Sequence, residues 1–170
     1  RLFMKNDLDL SYSISMTTRE PRNGEIDGVD YFFVSEKEFL DSIENGNLLE
    51  YAKFVGNYYG TPKDYVEKLL NNGKNVFLEI EIDGARQVVE KIPNAVTIYL
   101  MPPSIEELER RIRGRRSEPE EVVKERMDKA KREIKSYTEY KYVVYNDSLE
   151  KATDEIANII LNEINKEEVL

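Results

Sequence analysis

Histidine, cysteine and tryptophan are all absent from this chain of 170 residues. Without histidine there is no imidazole base and no Ser-His-Asp triad. Without cysteine there is no thiolate nucleophile and no disulfide, and a His/Cys zinc site is excluded as well. Chemistry then falls to carboxylates, arginine, lysine, tyrosine and hydroxyl groups, with or without a metal or cofactor. Positive charge is also short, with Lys+Arg 25 against Asp+Glu 34 and a formal net charge of −9. A surface that tracks nucleic-acid phosphates needs net positive charge, so broad nucleic-acid binding is not expected, although a concentrated local patch is allowed. No apolar run approaches the ~18–20 residues that a membrane span requires. A cysteine-free chain suits either redox compartment, and the cytoplasm is the expectation. The 40% hydrophobic content is enough to bury one core, or a core and a lobe.

Periodicity then divides the chain. Residues 11–15 alternate at period two and read as a strand, followed by a polar, turn-rich loop from Thr17 to Glu25 and a second strand over 31–34. Ser35 with Glu38 three residues on is a capping-box start for a helix to about Asn45. Residues 48–55 read as a strand ended by Gly56, and Gly60-Thr61-Pro62 opens a helix to about Asn71. The most apolar strand is 75–82, followed by a helix over 84–91 and a strand over 95–100. Ser104 with Glu107 caps an amphipathic helix, and an Arg-rich stretch leads to a charged helix over about 119–136. A strand over 142–145 and a helix over 149–167 complete the chain. Strands alternating with helices in the second half predict an α/β fold with a parallel, doubly wound sheet. The more hairpin-like 13–67 segment reads as an inserted lobe on a core of 1–12 and 68–170.

Four constellations can carry chemistry. Arg110, Arg111, Arg113, Arg115 and Arg116 place five arginines within seven residues of an acidic chain. Glu106–Arg110, Glu107–Arg111 and Glu109–Arg113 are (i, i+4) pairs of the favoured polarity, which describes a solvated helix face. Arg115 and Arg116 lie past Gly114 with no such partner upstream, as in a loop that meets an anion. Second, Arg19 and Arg22 stand three residues apart in a Gly/Pro-punctuated loop with Thr17, Thr18 and Glu25. Two such guanidiniums can converge on one phosphate, while the plain alternative is a surface turn. Third, Tyr58, Tyr59 and Thr61 cluster around Gly60, either completing an anion cradle or packing a lobe. Fourth, Glu79 and Glu81 alternate with Leu78 and Ile80, so both carboxylates face one side of a strand, where burial is costly unless they meet a ligand, metal or arginine.

In order and spacing, these pieces resemble the guanylate kinase family. The segments are SISMTTREPRNGEIDGVDYFF (13–33), NLLEYAKFVGNYYGTP (47–62), VFLEIEIDGARQV (76–88), PPS (102–104) and YVVYND (142–147). The resemblance covers essentially the whole chain. It implies a P-loop kinase-type parallel sheet with helices on both faces, a GMP-binding lobe with antiparallel strands over 13–67, and a helical lid over about 105–130. It implies that Arg19, Arg22, Tyr31 and Tyr59 hold the GMP phosphate with Glu25 supporting the arginines, and that Ser15, Glu50 and Thr61 read guanine. Glu79 and Glu81 would lie beside the reacting phosphates and their Mg²⁺, with Glu79 reaching the ion through water and no direct protein ligand assigned. Arg111, Arg115 and Arg126 match the lid arginines that neutralise the transferring phosphoryl group, and Arg116 stands where Gly is common. Asn146 would sit near the adenine of ATP.

The chain departs from this pattern in one respect. A P-loop kinase needs a Gly-rich loop ending in Gly-Lys-Ser/Thr, and no such run is present. Residues Arg1 to Lys5 read like the last turn of a helix, so the expectation is a longer chain whose P-loop unit lies ahead of Arg1. The activity implied is ATP + GMP to ADP + GDP, by a monomer or homodimer in the cytoplasm. The alternative is a guanylate-kinase-like protein-interaction module without catalysis. The absent P-loop leans toward that alternative, and the retained lobe and lid residues oppose it.

Overall fold

The computed structural model describes residues 1–5, 8–114 and 120–167, and it divides the chain into two compact units. One unit is Asn6–Ala95 and the other joins Arg1–Lys5 to Val96–Leu170.

In the first unit, β1 (Leu10–Tyr12) and β6 (Asn75–Phe77) pair in parallel, with Leu10 opposite Asn75 and Tyr12 opposite Phe77. Parallel neighbours need a long crossover, and here the crossover is the whole lobe. The lobe sheet runs β3 (Phe32–Phe33), β2 (Met16–Thr17), β5 (Asn57–Pro62), β4 (Leu48–Phe54). It is mixed, because β2 pairs in parallel with β3 and antiparallel with β5. Residues 60–62 thus finish a strand instead of opening a helix. The β4 ladder holds all three extended, with Gly60 also paired to β2, and α2 (Lys63–Asn71) starts one residue after Pro62. The capping box at Ser35 forms as its spacing predicts: the Ser35 hydroxyl accepts from the Glu38 N–H, and the Glu38 carboxylate accepts from the Ser35 N–H. It starts α1 (Glu36–Glu44), whose fully buried Phe39 stacks on Tyr58 with ring centroids 5.3 Å apart.

The strand expected over 75–82 is shorter than its apolar run. Its partner β1 ends at Tyr12, and one further bond, Ser13 N–H to the Phe77 carbonyl (3.0 Å), completes the ladder. Residues 78–81 are irregular and lead into α3 (Ile82–Lys91). Leu49 of β4, Val66 of α2 and Val88 of α3 form the core, packed by Val76, Leu78, Ile80, Ile92 and Ala95.

In the second unit, β7 (Ile98–Met101) pairs in parallel with β8 (Tyr142–Tyr145). Between them lie α4 (Ile105–Arg113), α5 (Glu120–Glu133) and a 3₁₀ turn over Ile134–Glu139. The last helix is α6 (Leu149–Glu167). Met101, Val123, Met127, Val144, Ala152 and Ala157 are buried. The two parallel pairs, β1–β6 and β7–β8, are separate two-stranded sheets among the described residues. Among those residues, no helix is long and apolar enough to cross a membrane.

Candidate active site

The most thoroughly buried acid in the lobe is Glu50, 3% exposed, on β4. The ladder sets Glu50 opposite Thr61 of β5, at an irregularity in register between Leu48 and Glu50. There the Thr61 hydroxyl donates to Glu50 Oε1 at 2.6 Å, and Thr61 is fully buried. Burial pushes the Glu50 carboxyl above its ordinary range, with the Glu81 charge acting the same way. The Thr61 bond and the Lys91 charge pull it back down. A buried carboxylate with one short donor retains free acceptor capacity, the requirement for reading a base edge that carries N–H groups.

In the same unit, Arg19 is held by carboxylate and rings together. Its Nη1 and Nη2 donate to Glu25 Oε2 and Oε1 at 3.0 and 2.9 Å, and Nη1 also donates to the Glu20 carbonyl at 2.7 Å. The guanidinium carbon lies 5.3 Å from the Tyr31 ring centroid and 5.8 Å from that of Phe33. Tyr31 meets Tyr59 edge-on, with centroids 6.2 Å apart, and Tyr59 also interacts with Arg19. Hydrogen bonding to Arg19, and then to the Arg22 backbone N–H (2.7 Å), holds the Glu25 carboxyl below the usual carboxylate range. Arg22 itself is exposed, with its backbone tied to this knot. Thr17 and Thr18 secure the loop: the Thr17 hydroxyl donates to the Tyr58 carbonyl (2.9 Å), and the Tyr58 N–H donates to the Thr18 hydroxyl (3.0 Å). Ser15 is half-buried just before β2, and its carbonyl accepts from the Phe32 N–H.

Arg19, Glu25, Tyr31 and Tyr59 therefore meet in one cluster, and Glu50 and Thr61 meet in another on the same sheet. Tyr59 and Thr61 are two residues apart on β5, so both side chains leave one face at a spacing of ~7 Å. Glu79 and Glu81 are not the buried strand pair that alternation predicts. Past the end of β6 there is no ladder among the described residues, Glu79 is exposed, and Glu81 becomes the N-terminal cap residue of α3. Their hard oxygen donors suit Mg²⁺, yet among the described residues no three His, Cys, Asp or Glu side chains gather as a metal cage.

In the second unit, Arg111 Nε donates to Glu107 Oε1 (2.7 Å), and its Nη2 donates to the Asn146 carbonyl (3.0 Å). Two candidate residues 35 apart in sequence are thus joined directly. Glu107 also takes Arg110, at 2.6 and 2.7 Å, and the two guanidiniums lower its carboxyl to about 2. The expected Glu106–Arg110 pair is replaced by Glu107–Arg110. The Glu106 carboxylate instead turns back toward its own backbone N–H and Ser104 at the start of α4. At the same helix start, the Ser104 hydroxyl accepts from the Glu107 N–H. The Glu109–Arg113 pair forms as expected (2.8 Å), and Arg113 reaches Glu120 as well. Arg126 is half-buried on α5, and Arg115 and Arg116 lie outside the described residues.

A sequence profile of the guanylate kinase family matches residues 1–163. The chain belongs to the guanylate kinase family. It is 55% identical over 162 residues to a guanylate kinase of Mesoplasma florum, covering 95% of this chain and 54% of that protein. A Bacillus cereus guanylate kinase is also 55% identical over 162 residues, with 79% of its length covered. The crystal structure of guanylate kinase from Anaplasma phagocytophilum superposes with a TM-score of 0.79 at 36% identity, over 95% of this chain and 80% of that one. The chain thus spans about half the length of the Mesoplasma relative, and more of the other two.

Three residues beside the Glu50 segment were not singled out from the sequence. Gly84, Gln87 and Lys91 of α3 all contact the Glu50 segment of β4. Their spacing of three and four residues along one helix face was a readable signal for a shared partner, though it does not name that partner.

Proposed function

We propose that the protein of which this chain is part transfers the γ-phosphoryl group of ATP to GMP. The observation that carries this reading is strand β5, which presents Thr61 toward a buried carboxylate and Tyr59 toward an anchored guanidinium on one face. Glu50 would accept from guanine N1–H and the exocyclic amine, a pair of donors that adenine does not offer. A buried carboxylate left facing the wrong base is penalised heavily, so a site of this type discriminates well. Arg19 and Arg22, with Tyr31 and Tyr59, would hold the GMP phosphate, and Ser15 would serve a remaining ring atom of the base.

Phosphoryl transfer needs positioning and charge neutralisation more than proton transfer, which fits a chain without histidine or cysteine. An ionised oxygen of the GMP phosphate attacks the γ-phosphorus in line. The new P–O bond forms as the bond to the β,γ-bridging oxygen breaks, and ADP leaves with that electron pair. Arg111, Arg115 and Arg126 would neutralise the charge that spreads over the equatorial oxygens, and Asn146 would line the adenine site. Magnesium, when bound to the donor phosphates, supplies further neutralisation; Glu79 and Glu81 would lie beside those phosphates, with Glu79 reaching the ion through water. A cytoplasmic location belongs to the same reading.

The test is ADP formation by the full-length protein with ATP·Mg²⁺ and, in turn, GMP, AMP and dTMP. Turnover with GMP alone is the expected result. Turnover that is absent, or independent of the acceptor base, would overturn the reading, and GMP-independent binding of a peptide would point to the interaction module instead.

A further inference from the structure

In the sheet order β3-β2-β5-β4, the strand that carries Glu50 lies at the edge, and among the described residues one side of its backbone has no strand partner. Helix α3 supplies that side with side-chain groups. The Gln87 amide Nε2 donates to the Tyr51 carbonyl at 2.8 Å, and its Oε1 accepts from the Tyr51 N–H at 3.2 Å, so one amide pairs both backbone groups of a single residue. Lys91 Nζ donates to the Leu49 carbonyl at 2.5 Å and to that of Leu48 at 3.4 Å. The backbone is therefore gripped immediately before and immediately after Glu50.

The third contact is made by a missing side chain. A Cβ on Gly84 would lie 2.2 Å from Glu50 Oε2 and 3.0 Å from its Cδ, distances that no side chain can share. Gly84 is buried in the first turn of α3 with an ordinary helical backbone, so no unusual φ calls for glycine there. Glycine inside a helix is destabilising relative to alanine. What it provides is room for the second carboxylate oxygen, while Thr61 fixes the first.

We propose that Gly84, Gln87 and Lys91 are the positioning residues for base selection: α3 holds β4 on both sides of Glu50 and seats the carboxylate against a helix surface stripped of its side chain. This rests on the reading of Glu50 as the base-reading group. It assigns the choice between guanine and hypoxanthine, which lacks the exocyclic amine, to a helix that need not touch the nucleotide. Glu81 is the N-terminal cap residue of α3, so the same element ties the base end of the lobe to the carboxylates placed beside the phosphates.

The experiment compares kcat and KM for GMP and for inosine monophosphate in the full-length protein, wild type against Gly84→Ala, Gln87→Leu and Glu50→Gln. Gly84→Ala is expected to raise the KM for GMP and cut the GMP-over-IMP preference by at least about tenfold with kcat little changed, the signature of lost binding common to ground and transition states. Gln87→Leu is expected to lower the preference in the same direction by several-fold. Adding Glu50→Asp to Gly84→Ala is expected to restore part of it, because the shorter side chain withdraws from the new methyl. Equal losses on both nucleotides, or an unchanged preference, would show that α3 only stabilises the lobe and would overturn the proposal. If Gly84→Ala does not fold, Gln87→Leu decides the matter alone. If Glu50→Gln leaves the preference intact, the base-reading assignment itself falls. If Glu50→Gln abolishes it while the α3 variants do not, the positioning proposal falls by itself.

Discussion

Replacing Thr61 with valine removes one hydroxyl and keeps the shape, so it isolates the buried bond to Glu50. Both partners are essentially inaccessible, at 0% and 3% exposure, and the O···O distance is 2.6 Å. Losing a hydrogen bond to a charged group under these conditions costs about 1.5–3 kcal/mol. For a chain of this length each kcal/mol moves Tm by about 2–4 °C, so a drop of about 3–12 °C is expected near neutral pH. The pH dependence is the sharper part. Burial already raises the Glu50 carboxyl above its unfolded value of about 4.3, and the Thr61 bond opposes that shift. A carboxyl with a raised folded-state value contributes stability that is fully present below the unfolded value and is lost as pH rises through the folded one. Thr61→Val moves that upper edge higher. Its deficit against wild type is therefore full where Glu50 is ionised and narrows as falling pH protonates Glu50, which then needs a donor less. Urea unfolding of the wild type, Thr61→Val and Thr61→Ser across this range checks it, with Thr61→Ser retaining the wild-type profile. A deficit under about 0.5 kcal/mol, or one that does not change with pH, would refute a buried, ionised Glu50 braced by Thr61.

Two other perturbations test the lobe. Arg19→Lys cannot bridge both Glu25 oxygens, and it should weaken GMP binding on the order of tenfold, the equivalent of one charge-assisted hydrogen bond, while guanosine binding stays unchanged. Equal weakening of both, measured by titration calorimetry, would separate Arg19 from the phosphate. Val55 and Gly56 form the two-residue link between β4 and β5, with φ of 46° and 80°, so a β-branched residue occupies the left-handed region. Val55→Asn should relieve about 1 kcal/mol of strain and raise Tm by about 2–4 °C in a thermal melt, and an unchanged Tm would mean the turn carries no such strain.

Local chemistry alone determined much of this molecule. The Ser35–Glu38 cap, the 142–145 strand, the final helix and the Glu109–Arg113 pair follow from signals within a few residues, because caps, periodicity and (i, i+4) spacing are properties of a single element. Residue types and spacing also singled out Arg19, Arg22, Glu25, Tyr58, Tyr59 and Thr61, whereas Ser15, Tyr31 and Glu50 were named only by the resemblance to the guanylate kinase family. Tertiary structure decided which of them meet. Glu50 reaches Thr61 through the β4–β5 register and its irregularity, and a slip of one residue would turn both away from each other. Arg111 finds the Asn146 carbonyl across 35 residues, and Gly84 makes room for Glu50 across 34, pairings that no local pattern encodes. Glu79 and Glu81 mark the opposite case. Alternation foretold a buried pair on one strand face, but the ladder that would have buried them ends at Phe77, because a strand extends only as far as its partner.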